Sequence, residues 1–467
     1  MTDASIAYAH ASHLDRGGLA LATSGGRAEH PYFFRGFLDN AEQAARAMLA
    51  IADVSRSRYF DPGRWARMKD PVVTSNVSVL RFEAFSSCNG VYARFDVDDG
   101  GFDSDYVDWG TTNVDLNEPV RKALAGVVPG APLRLTVGAD AVEVQTLGGA
   151  VIENKVPLSE RWLRGFAEAQ IAAAEMRPVA QFSAVQARAL ARDLHKLKSS
   201  PRTPWVSLAG GRARLTTLAT TATPCLVGPQ RLAALAALAR YATGLTVYAP
   251  GQRRRVGGSG DAFALQASAW VLHLDRARLT LVVSPELYRG FSGEGAVLSA
   301  LANVPEQDVA RVSAELDGQA RLSPGEIAQR TGLTEVRVSD ALKVLGAAGR
   351  TGFDLATGAF FHRDLPYDRA ALADTQPRLK DAWELVAARA VGPARATVGE
   401  GESAWDVRSA DLTYRVVLGA DDRCNCPWFA KHRGERGPCK HVLAAGLAAE
   451  GVGSPIRRQG VAERALP

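Results

Sequence analysis

Cys424-Asn425-Cys426-Pro427-Trp428-Phe429, followed after a short basic loop by Cys439-Lys440-His441, gathers three thiols and one imidazole into a single small unit. Tetrahedral zinc takes four nitrogen or sulfur donors, and a Cys-x-Cys pair joined by a loop to a Cys-x-His pair supplies all four from one stretch of chain. A disulfide is the weaker reading. It would join Cys439 to one member of the Cys-x-Cys pair, leave a thiol over and give His441 no task. Three of the five cysteines fall in this window, and the other two, Cys88 and Cys225, stand isolated in apolar surroundings as buried small hydrophobes. Cys424, Cys426, Cys439 and His441 are therefore the expected ligands of one Zn2+ ion. Four protein ligands close the metal shell and leave no position for water or substrate, so the zinc is expected to be structural, not catalytic.

Around the quartet, residues 404–409 and 412–418 alternate as two strands, and His441 opens an Ala/Leu helix reaching about residue 450. The order strand, strand, CxC, variable loop, CxH, helix resembles the SWIM-type zinc finger, a small ββα unit. The loop between the ligand pairs carries Lys431, His432, Arg433 and Arg436 against the single acid Glu435, with Trp428 and Phe429 beside it. Cations next to aromatics suit a phosphate backbone and stacked bases. In so small a unit the same aromatics are also its core, and both readings stay open, with Lys431, Arg433 and Arg436 as candidate nucleic-acid contacts.

Length and charge bound the rest. A chain of 467 residues exceeds one hydrophobic core and implies roughly two to four domains. The net charge of +5 and pI near 9.0 are compatible with nucleic acid without specifying it. No apolar run approaches the roughly 18 residues of a membrane span, and Met1-Thr2-Asp3-Ala4-Ser5 lacks the order of a signal peptide, so a cytoplasmic protein is expected. Sparse cysteine agrees with a reducing compartment. Heavy Ala, Arg and Gly usage with little Lys points to a GC-rich bacterial genome.

The expected fold class is α+β and multidomain. Residues 1–178 read as a mixed α/β domain: a helix at 40–56 with Asn40 as cap, strands at 77–85, 91–97 and 106–109, a further alternating pair at 133–137 and 141–146, and a closing helix at 161–176. Asp96, Asp98, Asp99, Asp103, Asp105 and Asp108 crowd together without EF-hand spacing, which reads as a solvated hairpin tip around Asp99-Gly100-Gly101, not a calcium site. Residues 179–303 form a second α+β region opening on a basic helix at 187–197, with another helix at 230–241 and strands at 245–248 and 279–283. Its Arg253-Arg254-Arg255 run, near Gly257-Gly258-Ser259-Gly260, reads as a solvated tip or a phosphate-contacting loop. The glycines of Tyr288-Arg289-Gly290-Phe291-Ser292-Gly293-Glu294-Gly295 read as a turn.

Residues 304–368 change pattern. A helix at 307–316, a second opened by the capping box Ser323/Glu326, the turn Thr331-Gly332-Leu333, a third helix at 334–345 and a hairpin at 350–361 follow winged helix-turn-helix order. If that unit reads DNA, Arg337, Ser339 and Lys343 are the side chains suited to reach bases or phosphates, with Glu335 and Asp340 opposing them. Residues 369–452 make a helical connector and the finger, and 453–467 a polar, disordered tail.

Beyond the finger, Cys88-Asn89-Gly90-Val91-Tyr92, Lys155-Val156-Pro157-Leu158, Arg161-Trp162-Leu163-Arg164-Gly165-Phe166 and Leu287-Tyr288-Arg289-Gly290-Phe291-Ser292-Gly293 resemble bacterial SWIM proteins encoded beside a MoxR-type AAA ATPase and a von Willebrand factor A-domain protein. That resemblance implies an accessory role beside such an ATPase, with both proteins as partners. It carries over only the four metal ligands as functional residues. No HExxH, GxSxG, Walker element or paired-carboxylate motif is present, and the remaining histidines are scattered, so no enzyme activity is expected. The leading expectation is a non-enzymatic zinc-binding adaptor for nucleic acid or protein. A winged-helix DNA-binding transcription regulator is the alternative, and an enzyme with an active site in the first two regions is a second.

Overall fold

The computed structural model describes residues 13–15, 18–20, 31–59, 71–156, 158, 160–198, 203–220, 222–251, 263–316, 319–365, 376–396 and 398–450. The Arg253-Arg254-Arg255 run, the Gly257–Gly260 stretch and the tail at 453–467 lie outside the described residues. The fold is mixed α/β with several sheets and a metal-ligand cluster at its C-terminal end.

Its backbone is an antiparallel eight-stranded sheet in the order Met176–Ser183, Gly244–Pro250, Ser268–Leu274, Ala277–Val283, Val91–Asp98, Val79–Phe85, Val72–Asn76, Trp109–Asn113. Strands from both sides of residue 178 meet at the ladder running from Ala277↔Val97 to Val283↔Val91. A five-stranded sheet (Gly149–Asn154, Ala141–Thr146, Arg134–Gly138, Tyr32–Leu38, Phe102–Val107) stands beside it. Helix Ala41–Arg56 packs on both.

Alternation along the central strands gives the large sheet two unlike faces, because successive side chains point to opposite sides. Phe95 and Val97 lie against Gln43 and Ala44 of helix Ala41–Arg56. The other face carries Arg81, Glu83, Arg94, Asp96 and Arg278, all buried. Charges there survive because they are paired: Arg94 reaches Asp96 at 2.9 Å and Asp354 at 2.8 Å, Arg278 reaches Asp354 at 2.8 Å, and Arg363 reaches Glu83 at 2.8 Å. Burial alone pushes the Asp354 carboxyl up, but Arg94, Arg278 and Arg81 outweigh it and hold it well below the usual carboxylate range.

This network corrects the reading of the aspartate crowd. Asp96 is fully buried in ion pairs, Asp98 pairs with Arg278 at 2.9 Å, and Asp99–Gly101 is a short 3₁₀ turn that passes the chain from one sheet to the other. Residues 91–98 and 102–107 are thus not the arms of one hairpin. Among the described residues no metal-type cluster other than the C-terminal one is present.

Helices Glu306–Ala314, Pro324–Thr331 and Glu335–Ala347 precede the hairpin Thr351–Asp354/Ala359–His362, and Leu322 bridges to Phe360. The capping box forms: Glu326 N–H donates to Ser323 Oγ at 3.2 Å, and Gly332 ends that helix at φ +70°. Asp354 sits in the hairpin, and Arg81 lies 4.0 Å from the centre of the Phe361 ring, so the hairpin is laid into the polar face of the large sheet. Helix Glu335–Ala347 packs on helix Glu160–Ala174, and its second half is buried apart from the half-buried Lys343.

Other elements differ from the sequence reading. The strand expected at 77–85 begins only at Val79, because Val77 takes φ +64° and turns the chain out of the preceding strand Val72–Asn76. Strand Met176–Ser183 takes over where a helix end was expected; Pro178, which has no N–H to donate, sits at its bulge. The Ala/Leu segment at 230–241 is not one helix but 3₁₀ and α pieces. Asn40 precedes helix Ala41–Arg56 without a side-chain cap and donates to Asp275 at 3.0 Å instead.

Three segments separated in sequence meet at one junction. Asn89, at φ +56°, donates through Nδ2 to Arg161 O at 2.8 Å and accepts at its carbonyl from Phe291 N–H at 2.8 Å. Arg161 also donates to Cys88 O and Ser292 Oγ. A Cβ on Gly290 would stand 2.3 Å from Cys88 O, which explains a glycine there.

Candidate metal centre

The four expected ligands are placed by three local devices. Strands Ser403–Ser409 and Leu412–Leu418 form a hairpin, and the short strand Arg423–Cys424 pairs with the latter through Val416↔Cys424. Cys426 is the residue before helix Pro427–His432, and its Sγ accepts Phe429 N–H at 3.4 Å. Cys439 holds the same position before helix Lys440–Ala449, which presents His441 in its first turn. Two sulfurs therefore sit where helix amides and dipoles favour negative charge.

The ligand atoms all lie within 4.8 Å of one another, and all four residues are buried. The three thiols are free, with no disulfide among them. Tyr414 stacks on the His441 ring at 4.3 Å between centroids, and the His441 Nε2 atom is buried without a hydrogen-bond partner. Hydrogen bonding from Cys424 and His441 holds the Cys439 thiol well below its usual range, while the same contact and burial drive Cys424 up. Without a cation the quartet can keep only part of its negative charge; a divalent ion removes that conflict by binding deprotonated sulfur. Zinc matches this donor set, in a tetrahedral and closed shell. Cys424, Cys426, Cys439 and His441 form a single zinc site.

The finger is seated on the body. Arg378, from helix Pro377–Ala387, donates to Arg436 O at 2.7 Å, Pro438 O at 2.9 Å and Glu294 O at 2.7 Å. Arg436 donates to Gly293 O at 2.7 Å, and Arg289 to Glu435 O at 2.9 Å. Trp428 lies beneath both Arg378 and Arg436, at 4.8 and 5.5 Å. Gly437, at φ +74°, comes so close to Gly295 that a Cβ would meet the Gly295 carbonyl oxygen at 2.2 Å. The segment read as a turn, 290–295, is thus the seat of the finger loop. Its glycines, and the motif that includes Arg289, were the visible signal; Arg378 and Gly437 carried none.

The candidate nucleic-acid contacts separate into two groups. Arg337 is held by the buried Asp308 at 2.6 Å, Lys343 by Asp340 at 2.7 Å, and Arg436 is committed to the seat. Lys431 and Arg433 are exposed. Burial, then Arg436, Lys431, Arg289 and Arg378, hold His432 below its usual range, so the loop surface is positive without it. Ser339 is half-buried.

Among the described residues no helix is long and apolar enough to cross a membrane. No curated protein matches the chain. Among solved structures, Proliferating Cellular Nuclear Antigen from Entamoeba histolytica aligns at 10% identity and TM-score 0.34, covering 54% of this chain and 99% of that one. The PCNA2-PCNA3 complex from Sulfolobus tokodaii aligns at 9% identity and TM-score 0.35, covering 54% of this chain and 98% of that one. Residues 414–449, which hold all four ligands, match the family model of the SWIM zinc finger, and this C-terminal module is a SWIM zinc finger domain.

Proposed function

We propose that the chain is a non-enzymatic, zinc-stabilised adaptor whose finger, fixed to a large β-sheet body, presents a surface to a nucleic-acid or protein partner. The observation that carries this reading is the combination of a closed Cys3His set with a finger loop whose backbone carbonyls are held by Arg289 and Arg378. Such an ion organises a surface and has no coordination position left for substrate. Lys431 and Arg433 are the finger's outward cations and its candidate contacts.

The transcription-regulator reading is less favoured by this geometry. The helix order at 306–362 supports a winged-helix description, but its hairpin lies in the ion network of the sheet, and Arg337 faces Asp308. A DNA-reading unit needs its wing free of the body and the cation of its recognition helix free of a buried carboxylate. The wider likeness supports a MoxR-type AAA ATPase and a von Willebrand factor A-domain protein as partners in a bacterial cytoplasm.

The test is affinity capture of the full zinc-loaded chain from its native cells, with and without nuclease. Nuclease-resistant recovery of an AAA ATPase, lost in Lys431→Glu/Arg433→Glu, is the expected result. Capture of no ATPase in either condition sinks the accessory role.

A further inference from the structure

Charge along this chain is segregated. Between Glu175 and Asp261 the sequence has thirteen Lys and Arg residues and one acid, Asp193, a net +12 against +5 for the whole chain, so everything outside that stretch is net acidic. The fold places the described part of the stretch at one end of the large sheet. Strand Met176–Ser183 is the outermost strand, helix Ala184–Asp193 follows it directly and packs on it and on Gly244–Pro250, and the hairpin Trp205–Ser207/Arg214–Thr216 lies alongside. Gly211 anchors that hairpin: at φ +71°, a Cβ there would stand 2.9 Å from Gln186 Cγ.

The helix turns Ala187, Leu190 and Ala191 inward, which leaves Arg188 and Arg192, four residues apart, facing out. Lys196, Lys198, Arg212 and Arg214 are exposed as well. Of these six cations only Lys196 has an ion pair among the described residues, with Asp193 at 3.1 Å. Arg188 donates to the Ala242 carbonyl and keeps its charge uncompensated.

We propose that this basic end docks on the phosphate backbone of duplex nucleic acid through Arg188, Arg192, Lys196, Lys198, Arg212 and Arg214. A protein partner would call for an apolar, aromatic centre to the patch. A single strand would call for stacking rings. Among described residues 176–220 no aromatic side chain is exposed; Trp205 is buried and Phe182 half-buried, and the exposed large apolar side chains, Val185 and Leu218, carry no ring. Predominantly positive charge without rings, with Asp193 as its one acid, matches backbone contact, in which cations displace condensed counterions and read no sequence. The proposal stands apart from the adaptor reading, because none of these residues belongs to the finger or its seat.

The experiment is fluorescence anisotropy of the full zinc-loaded chain with a labelled, mixed-sequence duplex of about 20 base pairs, titrated over a series of KCl concentrations from about 50 mM. The variant R188Q/R192Q/R212Q/R214Q should bind at least about tenfold more weakly at low salt, and its log K against log[salt] slope should flatten by roughly three to four units. Melting temperature and zinc content should match those of the parent, and the double variant R212Q/R214Q should show about half the slope change. Arg311→Gln/Arg321→Gln, exposed cations elsewhere, should leave the slope as it is. Unchanged affinity in the fourfold variant overturns the proposal. So does an equal loss in Lys431→Gln/Arg433→Gln, which would assign the contact to the finger, or displacement of the duplex by polyglutamate at equal charge concentration, which would make the patch a docking site for acidic protein.

Discussion

Gly437 joins two constraints that no other residue type meets at once. Its backbone is left-handed, and its Cα faces the Gly295 carbonyl with no room for a methyl group. Gly437→Ala should therefore cost about 1–3 kcal/mol in the stability of the seated finger while zinc stoichiometry stays at one, measured by denaturant unfolding followed at Trp428 and by metal analysis. Zinc loss in that variant would mean that seat and metal site are not separable. Glu168 is the second informative residue. It is buried, it accepts the N–H groups of Ala296 and Val297 at 3.0 and 3.3 Å beneath the same seat, and burial pushes its carboxyl up to about 8. A carboxyl whose folded value lies above its unfolded one stabilises fully below the unfolded value, and that contribution is lost as pH rises through the folded value. Stability of the parent relative to Glu168→Gln should thus fall between about pH 4.5 and 8, with each tenfold difference in proton affinity worth about 1.4 kcal/mol. Urea midpoints of both proteins at the two ends of that range read the effect, and parallel pH profiles would contradict it.

Among the elements, the hairpin Thr351–Asp354/Ala359–His362 shows how context reassigns a familiar arrangement. Helix, turn, helix, hairpin was legible from the capping box Ser323/Glu326 and the turn at Gly332. What the hairpin packs against was not, since Asp354 meets Arg94 and Arg278 across 260 and 76 positions of sequence. Asp354→Ala should destabilise by about 3–5 kcal/mol, because it leaves two buried guanidinium groups short of their carboxylate. The loss should appear in one cooperative transition shared with the large sheet, followed by circular dichroism; a separate early transition of residues 306–362 would show the unit to be only loosely docked. The same element-level logic separates the aspartates: Asp96 looked like part of a solvated tip because its neighbours are acidic, yet its partners Arg81 and Arg278 come from other strands.

Across the molecule, metal and body are coupled through the seat. Removing zinc with a chelator should raise hydrogen exchange in helix Lys440–Ala449, in helix Pro377–Ala387 and in residues 289–297, while strands Val79–Phe85, Val91–Asp98 and Ala277–Val283 keep their protection. Cys439→Ser and His441→Ala should reproduce that pattern and lose the ion. Uniform exposure of the sheet would mean that the finger supports the whole fold.

The four ligands are legible in the amino-acid sequence because metal chemistry is local: zinc demands particular atom types, and CxC with CxH delivers them within one short loop. Strand alternation and helix caps are readable for the same reason, being properties of neighbouring residues. Everything that depends on partners distant along the chain emerges only in three dimensions: the ladder joining Val91–Asp98 to Ala277–Val283, the burial of Asp96, the capture of Arg337 by Asp308, and the seat that Arg289 and Arg378 make for the finger. An arginine in sequence is equally a free cation or half of a buried pair, and which of the two it becomes is set by the side chain that folding brings across from it.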